Sequence, residues 1–402
     1  MEVNMLNAKY EPTATSEMRR RQDAVLKSMA GKGIDAIIAC NFGDMVAGPF
    51  KYLTDRSHYY TMAMIMSPEG IVIYYSRFEN PPDKKLVFEP NGEALPIALW
   101  SAPYVPGIYY NKDRFAEAMT HYIKSRGLKK VGWVGFSYIP ANIYQYLISN
   151  NPGVEFVDFT DDLDDIRLVK SEYEISRFAR VVDMHDRLER AIHGMIRRQI
   201  TPHALNLEMM HTAAKIGAVE FNTGLMRHWR NIDGKDVDLG LVTPLEVGDY
   251  LWVLIEVAGV NGEWGEIARL YRLGEEPEQK YLDISNNLLK ITAAVAKACV
   301  PGAIPEEVFA LNNKLLTDCG YPVEERLCIH GQTYDIVDLP MFTKGDRKPL
   351  KENMFFTIHP GYQSSPGSFD APYMNYTDNY LVKPGGAVRL NKIPMEIFTI
   401  GI

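Results

Sequence analysis

LIEVAGVNGEWGEIARLY, residues 254–271, and FFTIHPGYQSSPGSFDAPYMNYTDNYLV, residues 355–382, are the two stretches on which the fold turns. The first lies in a strand pair spanning about residues 250–273, with Glu256 and Glu266 ten positions apart around a Gly-containing turn. The second reads as strands interrupted by GYQSSPGSFDAPYMN, a long irregular loop of the kind that often carries function. Ahead of both, SEYEISRFARVVDMHDRLERAIHGMI is an amphipathic helix, with Ser171 as its cap and Glu174, three residues on, as the reciprocal partner. HALNLEMMHTAAKIG follows as a second helix, and DISNNLLKITAAVAKACV and PEEVFALNNKLLTDCG are two more after the strand pair. The order helix, helix, hairpin, helix, helix, strands predicts an α+β domain whose helices cover a sheet.

The first 160 residues have a different grain. A helix over residues 17–31 leads through a Gly-punctuated turn into GIDAIIAC, strands follow at MAMIMS and IVIYYSR, then a helix around Arg114 to Ser125 and the strand KKVGWVGF. This alternation predicts an α/β domain that ends near DFTDDLDDIRLVKS, so the expected division is 1–165 and 166–402. At 402 residues, 46% hydrophobic and 23% charged, the chain has room for two packed cores and is neither disordered nor fibrous in composition. A net charge of −8 and no basic run longer than MRRRQ give no nucleic-acid footprint. No apolar run approaches the roughly 20 residues of a membrane span, and the N-terminal stretch lacks the order of a signal peptide. Cys40, Cys299, Cys319 and Cys328 have no metal-type spacing and suit a reducing compartment, so a cytoplasmic protein without disulfides is expected.

LVKSEYEISRFARVVDMHDRLERAI resembles the entry helix of the creatinase, prolidase and aminopeptidase P superfamily, and the resemblance continues to the C-terminus. It implies an α/β N-terminal domain and an α+β "pita-bread" C-terminal domain, a curved antiparallel sheet covered by helices. Metallopeptidases of this superfamily bind two metals through Asp, Asp, His, Glu and Glu. Carried over position by position, the resemblance places Glu256 and Glu266 at the two Asp, His330 of IHGQTYDIVDLP at the His, His359 of FFTIHPG at a Glu, and Thr377 of TDNYLVKPGG at the last Glu. Val337 stands where a substrate-facing His is expected, with Asp338 beside it at a Glu position. In creatinase-like members a further His acts on substrate. No His fills that place here, and Asp236, with Lys235 and His228 as alternatives, takes it over. Arg227 and Arg230 flank His228 and Trp229 as a clamp for a substrate carboxylate or as surface ion pairs. The N-terminal domain of this group lends residues to a neighbouring subunit's pocket, which here implicates DRSHYYT with His58, Tyr59 and Tyr60.

The frame is therefore that of the superfamily, while the ligands are not. With the last carboxylate replaced by Thr377, a two-metal peptidase is disfavoured on sequence grounds. Two imidazoles and two carboxylates suit one Zn, Fe or Mn ion, with no organic cofactor. The same residues also suit a site without metal, in which His330 or His359 is the general acid or base and a glutamate orients it. The expectation is a homodimeric non-peptidase that hydrolyses a C–N bond in a small molecule, with His330, His359, Asp236 and Asp338 doing the chemistry. A lyase working by β-elimination and a non-catalytic binding module are the alternatives.

Overall fold

The computed structural model describes residues 11–41, 48–55, 62–77, 86–103, 114–368 and 370–401. Its chain divides into two units, Glu11–Arg167 and Leu168–Ile402. In the first unit the order is α1 (Thr15–Gly31), β1 (Ala36–Asn41), α2 (Gly48–Thr54), β2 (Met62–Ser67), β3 (Gly70–Arg77), β4 (Phe88–Asn91), β5 (Ala94–Pro103), α3 (Arg114–Ser125), β6 (Lys130–Val134), α4 (Ala141–Asn150), β7 (Glu155–Asp158) and α5 (Thr160–Leu168). The seven strands form one sheet in the order β4-β5-β3-β2-β1-β6-β7, with β1–β6, β6–β7 and β3–β5 parallel and the other pairs antiparallel. Phe115, Met119, Tyr122 and Ile123, on one stripe of α3, pack with Ile38, Ile65, Val72 and Trp133 of the sheet. This is the expected α/β arrangement.

The second unit begins with α6 (Glu172–Ile192), whose capping box is complete: the Glu174 amide donates to the Ser171 hydroxyl at 3.2 Å, and the Ser171 amide donates to the Glu174 carboxylate at 3.0 Å. Next come α7 (Pro202–Lys215), β8 (Glu220–Asn222), β9 (Met226–Ile232), β10 (Lys235–Asp238), β11 (Asp249–Ala258), β12 (Trp264–Leu273), α8 (Gln279–Ala298) and α9 (Pro305–Asp318). The chain ends in β13 (Ile329–Gly331), β14 (Asp338–Met341), β15 (Phe355–Ile358), β16 (Gly361–Tyr362), β17 (Met374–Asn375), β18 (Asp378–Lys383), β19 (Gly386–Arg389) and β20 (Ile397–Ile400). The helices and strand pair read from the sequence are all present. The expected single antiparallel sheet is instead divided. One sheet runs β10-β9-β11-β12-β20 with β8 also on β11, a second runs β14-β13-β15-β18-β19, and β16 pairs with β17. The first sheet is mixed, because β20 lies parallel to β12 and satisfies its edge amides and carbonyls.

Every residue of β11 and β12 is buried, so their near-continuous apolar runs are cores on both faces. Trp252, Leu254, Ala268 and Leu270 pack with Tyr281, Leu288, Ile291 and Val295 of α8. The alternate residues Leu251, Val253, Ile255 and Ile267 pack with Val181, Leu188 and Ile192 of α6. Glu256 and Glu266 fall on the first of these faces by the two-residue period of a strand. The loop between Gly361 and Asn375 is closed at its base by β16–β17 pairing and tied to β11 by the Trp252 indole, which donates to Asn375 Oδ1 at 2.9 Å.

Two substitutions test this packing. Glu189 of α6 is fully buried and accepts from the Tyr271 hydroxyl; burial, which Arg269 and Tyr271 only partly offset, pushes its carboxyl up to about 7. A folded-state value above the ordinary 4.5 means that this group's contribution to stability is complete below pH 4.5 and is lost as pH rises through about 7. Glu189→Gln, which does not titrate, should therefore gain on wild type by roughly 3 kcal/mol between pH 4.5 and about pH 8 in urea unfolding. A difference independent of pH would contradict the assignment. At Gly331 a Cβ would run into the Leu339 carbonyl, so Gly331→Ala should cost about 2 kcal/mol or more in the same assay.

Candidate functional site

Glu256 and Glu266 stand directly opposite one another across β11 and β12 and are almost wholly buried, 5% and 4% exposed. Two facing carboxylates in a desolvated place cannot both carry charge without compensation. Glu256 Oε2 accepts from the Asn222 amide and Oε1 accepts from the Gln332 amide at 3.2 Å. Asn222 is delivered by the β8–β11 register, which pairs it with Glu256. Burial, and then the charge of Glu266, push the Glu256 carboxyl well above the usual carboxylate range.

Glu266 is held differently. Its backbone is clamped by Asn379, whose Oδ1 accepts from the Glu266 amide at 3.2 Å and whose Nδ2 donates to the Glu266 carbonyl at 2.7 Å. Its carboxylate Oε2 is buried without a hydrogen-bond partner and lies 3.5 Å from His330 Nε2. Burial opposes its charge, but His330, His359 and Arg326 together outweigh burial and hold its carboxyl below the ordinary value.

His330, on β13, donates from Nδ1 to the Gly331 carbonyl at 2.9 Å, which turns Nε2 toward Glu266 and, at 3.4 Å, the Thr357 hydroxyl. His359 follows β15, with its ring centroid 5.1 Å from that of His330. Burial, and then His330, press its imidazole down to about 3, so the ring is neutral through the working pH range.

These four groups are the ones the structure brings together. Thr377, where the superfamily has its last carboxylate, is bridged to Ala268 through the backbone, and its buried hydroxyl lacks a hydrogen-bond partner. Asp378 beside it is committed elsewhere, to Arg269 at 2.9 Å and Arg389 at 2.5 Å.

The remaining expected residues have other employments. Asp338 accepts from Thr333 and from the Leu339 amide, a local turn contact, and Val337 is 44% exposed. His228 pairs in register with Leu251, on the face away from Glu256, and its ring is spent on Asp249 at 2.8 Å and the Gly240 carbonyl at 3.1 Å. Arg230 binds the same Asp249 at 2.5 Å. Asp236 is in register with Asn231 and so on the Glu256 face, but it is bound by Lys280 and Tyr281, in a separate cavity. Arg227 is in register with Trp252 and so on the Glu256 face, with one guanidinium nitrogen 2.9 Å from the Met226 carbonyl. His58, Tyr59 and Tyr60 lie outside the described residues.

Sequence reasoning missed Asn222, Gln332 and Asn379. Gln332 sits inside IHGQTYD and was open to notice there; nothing local to Asn222 marks it, because only strand register brings it to Glu256.

The donors can be weighed against a metal. Two ions bridged by carboxylates do not fit, since Thr377 offers a hydroxyl and Glu256 is taken by two amide N–H groups that would oppose a cation. Among the described residues no group of three or more His, Cys, Asp or Glu forms a ready ligand shell. One ion fits the donor chemistry of Glu266 and His330: donors at about 2.1 Å from a tetrahedral ion lie about 3.4 Å apart, and the orphaned Glu266 Oε2 is 3.5 Å from an Nε2 whose ring is oriented by a carbonyl, as metal-bound imidazoles are.

Comparison with known proteins identifies the family. The chain is 23% identical over 313 residues to the Xaa-Pro dipeptidase of Pyrococcus horikoshii, covering 73% of this chain and 84% of that one. Its fold is similar to that of the X-Pro aminopeptidase of Thermotoga maritima, with a TM-score of 0.76 at 16% identity over 94% of this chain and 99% of that one. Dipeptidase PepE of Mycobacterium ulcerans gives 0.72 at 19% identity over 98% and 100%. These relatives bear the names of peptidases, which hydrolyse C–N bonds as expected but overturn the expectation of a non-peptide reaction; the lyase alternative finds no support among them. Residues 21–169 match the creatinase/prolidase N-terminal domain. Residues 176–392, over half of the sequence, match metallopeptidase family M24, a membership that supports a divalent metal as cofactor, and the chain belongs to that family with a pita-bread C-terminal domain.

Proposed function

We propose that this chain is a single-ion hydrolase that cleaves the C–N bond of a small peptide with a free carboxylate. The observation that carries the reading is the pairing of an unpartnered Glu266 Oε2 with an oriented His330 Nε2 at ligand spacing. Glu266 and His330 would hold the ion, with Zn, Fe and Mn the candidates for such a mixed carboxylate and imidazole pair. When bound, the ion supplies Lewis-acid activation of water and carbonyl. Glu256, held by Asn222 and Gln332 opposite Glu266, takes the proton from the attacking water and returns it to the leaving nitrogen as the C–N bond breaks. Water oxygen ends on the carbonyl carbon, and the released amine carries the proton.

Arg227, four strand positions from Glu256 on the same face through its Trp252 partner, is placed to pair with the substrate carboxylate. The reading includes a cytoplasmic homodimer. Its support is that Cys40, Cys299, Cys319 and Cys328 are all free thiols, as suits a reducing compartment; light scattering of the purified protein tests the dimer.

Hydrolysis of Xaa-Pro dipeptides by purified protein is the direct test. Glu256→Gln should lower kcat by a factor on the order of 100 or more while leaving bound metal unchanged, and His330→Ala should remove both metal and activity. Arg227→Ala should raise KM about tenfold for a dipeptide and leave KM for its C-terminal amide unchanged. An active Glu256→Gln, or equal KM effects on acid and amide, would contradict these roles.

A further inference from the structure

A cavity of about 410 Å³ lies in the C-terminal unit, and none of Glu256, Glu266, His330 and His359 lines it. Its walls come from four separate parts of the chain: Asp236 on β10, Lys280, Tyr281 and Asp283 on α8, Tyr321 after α9, and Tyr362 on β16. Tyr321 and Tyr362 meet edge to face, 5.1 Å apart at 81°, and so form an aromatic corner.

An ammonium group already sits here. Lys280 Nζ lies 4.6 Å from the centre of the Tyr281 ring and 2.8 Å from each oxygen of Asp236, so the chain's own side chain displays the contacts that an organic cation would use. Lys280 and the Tyr281 hydroxyl between them satisfy Asp236. Asp283 keeps a carboxylate at the exposed wall: Gln279 donates to its Oδ1 at 2.8 Å, and among the described residues no ion pair cancels the charge. The Tyr321 hydroxyl accepts from Asn287 at 2.9 Å, which leaves its proton for a ligand. What the cavity offers beyond its internal pairs is thus two ring faces meeting at a corner, hydroxyl donors and one net negative charge.

We propose that this cavity is a binding site for a small organic cation with an alkylated ammonium head, separate from the hydrolytic cluster. Ring faces and a carboxylate attract such a head, whereas a neutral molecule of the same shape gains only the apolar contact. The site does not depend on the hydrolytic reading, because no residue is shared between the two.

Isothermal titration with choline, and in parallel with 3,3-dimethylbutan-1-ol, its neutral isostere, tests the proposal on the full-length protein. Choline should bind at least about tenfold more tightly than the alcohol. Tyr362→Leu and Asp283→Asn, both at the cavity wall, should each weaken choline about fivefold or more, while Glu266→Gln in the hydrolytic cluster leaves it unchanged. Circular dichroism of each variant establishes that it is folded, and Asp283→Asn, at an exposed position, serves as the variant least able to disturb folding. Equal binding of choline and the alcohol, no binding of either, retention of full affinity in both wall variants, or loss in Glu266→Gln would each overturn the proposal.

Discussion

Two carboxylates buried face to face across a hydrogen-bonded strand pair impose the condition on which the rest of this unit depends. The backbone ladder of β11 and β12 sets Glu256 against Glu266, and both are almost wholly buried. Such a pair is stable only if something positive, or a shared proton, enters between or beside the two groups. The structure answers differently on the two sides. Glu256 receives amide N–H donors from Asn222 and Gln332, and Glu266 is left to an imidazole and an open oxygen.

The surroundings hold that asymmetry in place. Asn379 grips the Glu266 backbone from β18 and is itself fixed by Asn391, whose other contact is Asp186 on α6. One residue earlier on β18, Asp378 is locked between Arg269 and Arg389. A buried ion pair of this kind is costly to break, because removing one partner strands a charge. Thr377 lies between these anchors and the cluster, so the last strand enters the site with its position determined and its carboxylate gone. The family frame is thereby retained, and in the reading proposed above its donors suit one ion.

Much of this was legible in the residues. The strand pair at 250–273 and the Ser171–Glu174 cap follow from local pattern, and the grouping of Glu256, Glu266, His330 and His359 from the resemblance to the superfamily. His228 and Arg230 lie near the right place along the chain, but a strand sends successive side chains to opposite faces, and the β9–β11 register that decides the face is a long-range property; Asp236 is on the Glu256 face but is bound by Lys280 and Tyr281 of α8. Asn222 stayed hidden because register alone places it. The division of the C-terminal strands into two sheets and the parallel entry of β20 depend on edge pairing that alternation alone does not encode. The reaction class was misjudged because a missing ligand carboxylate was weighed above the frame that surrounds it.

The central claim is that this frame carries one ion, on Glu266 and His330, where the superfamily carries two. Anomalous diffraction from crystals grown with Zn or Mn tests it most directly. The account predicts a single peak per chain within bonding distance of His330 Nε2 and Glu266 Oε2, with Glu256 still held by Asn222 and Gln332. Two peaks bridged by Glu256 and Glu266, or no peak at any metal concentration, would contradict it.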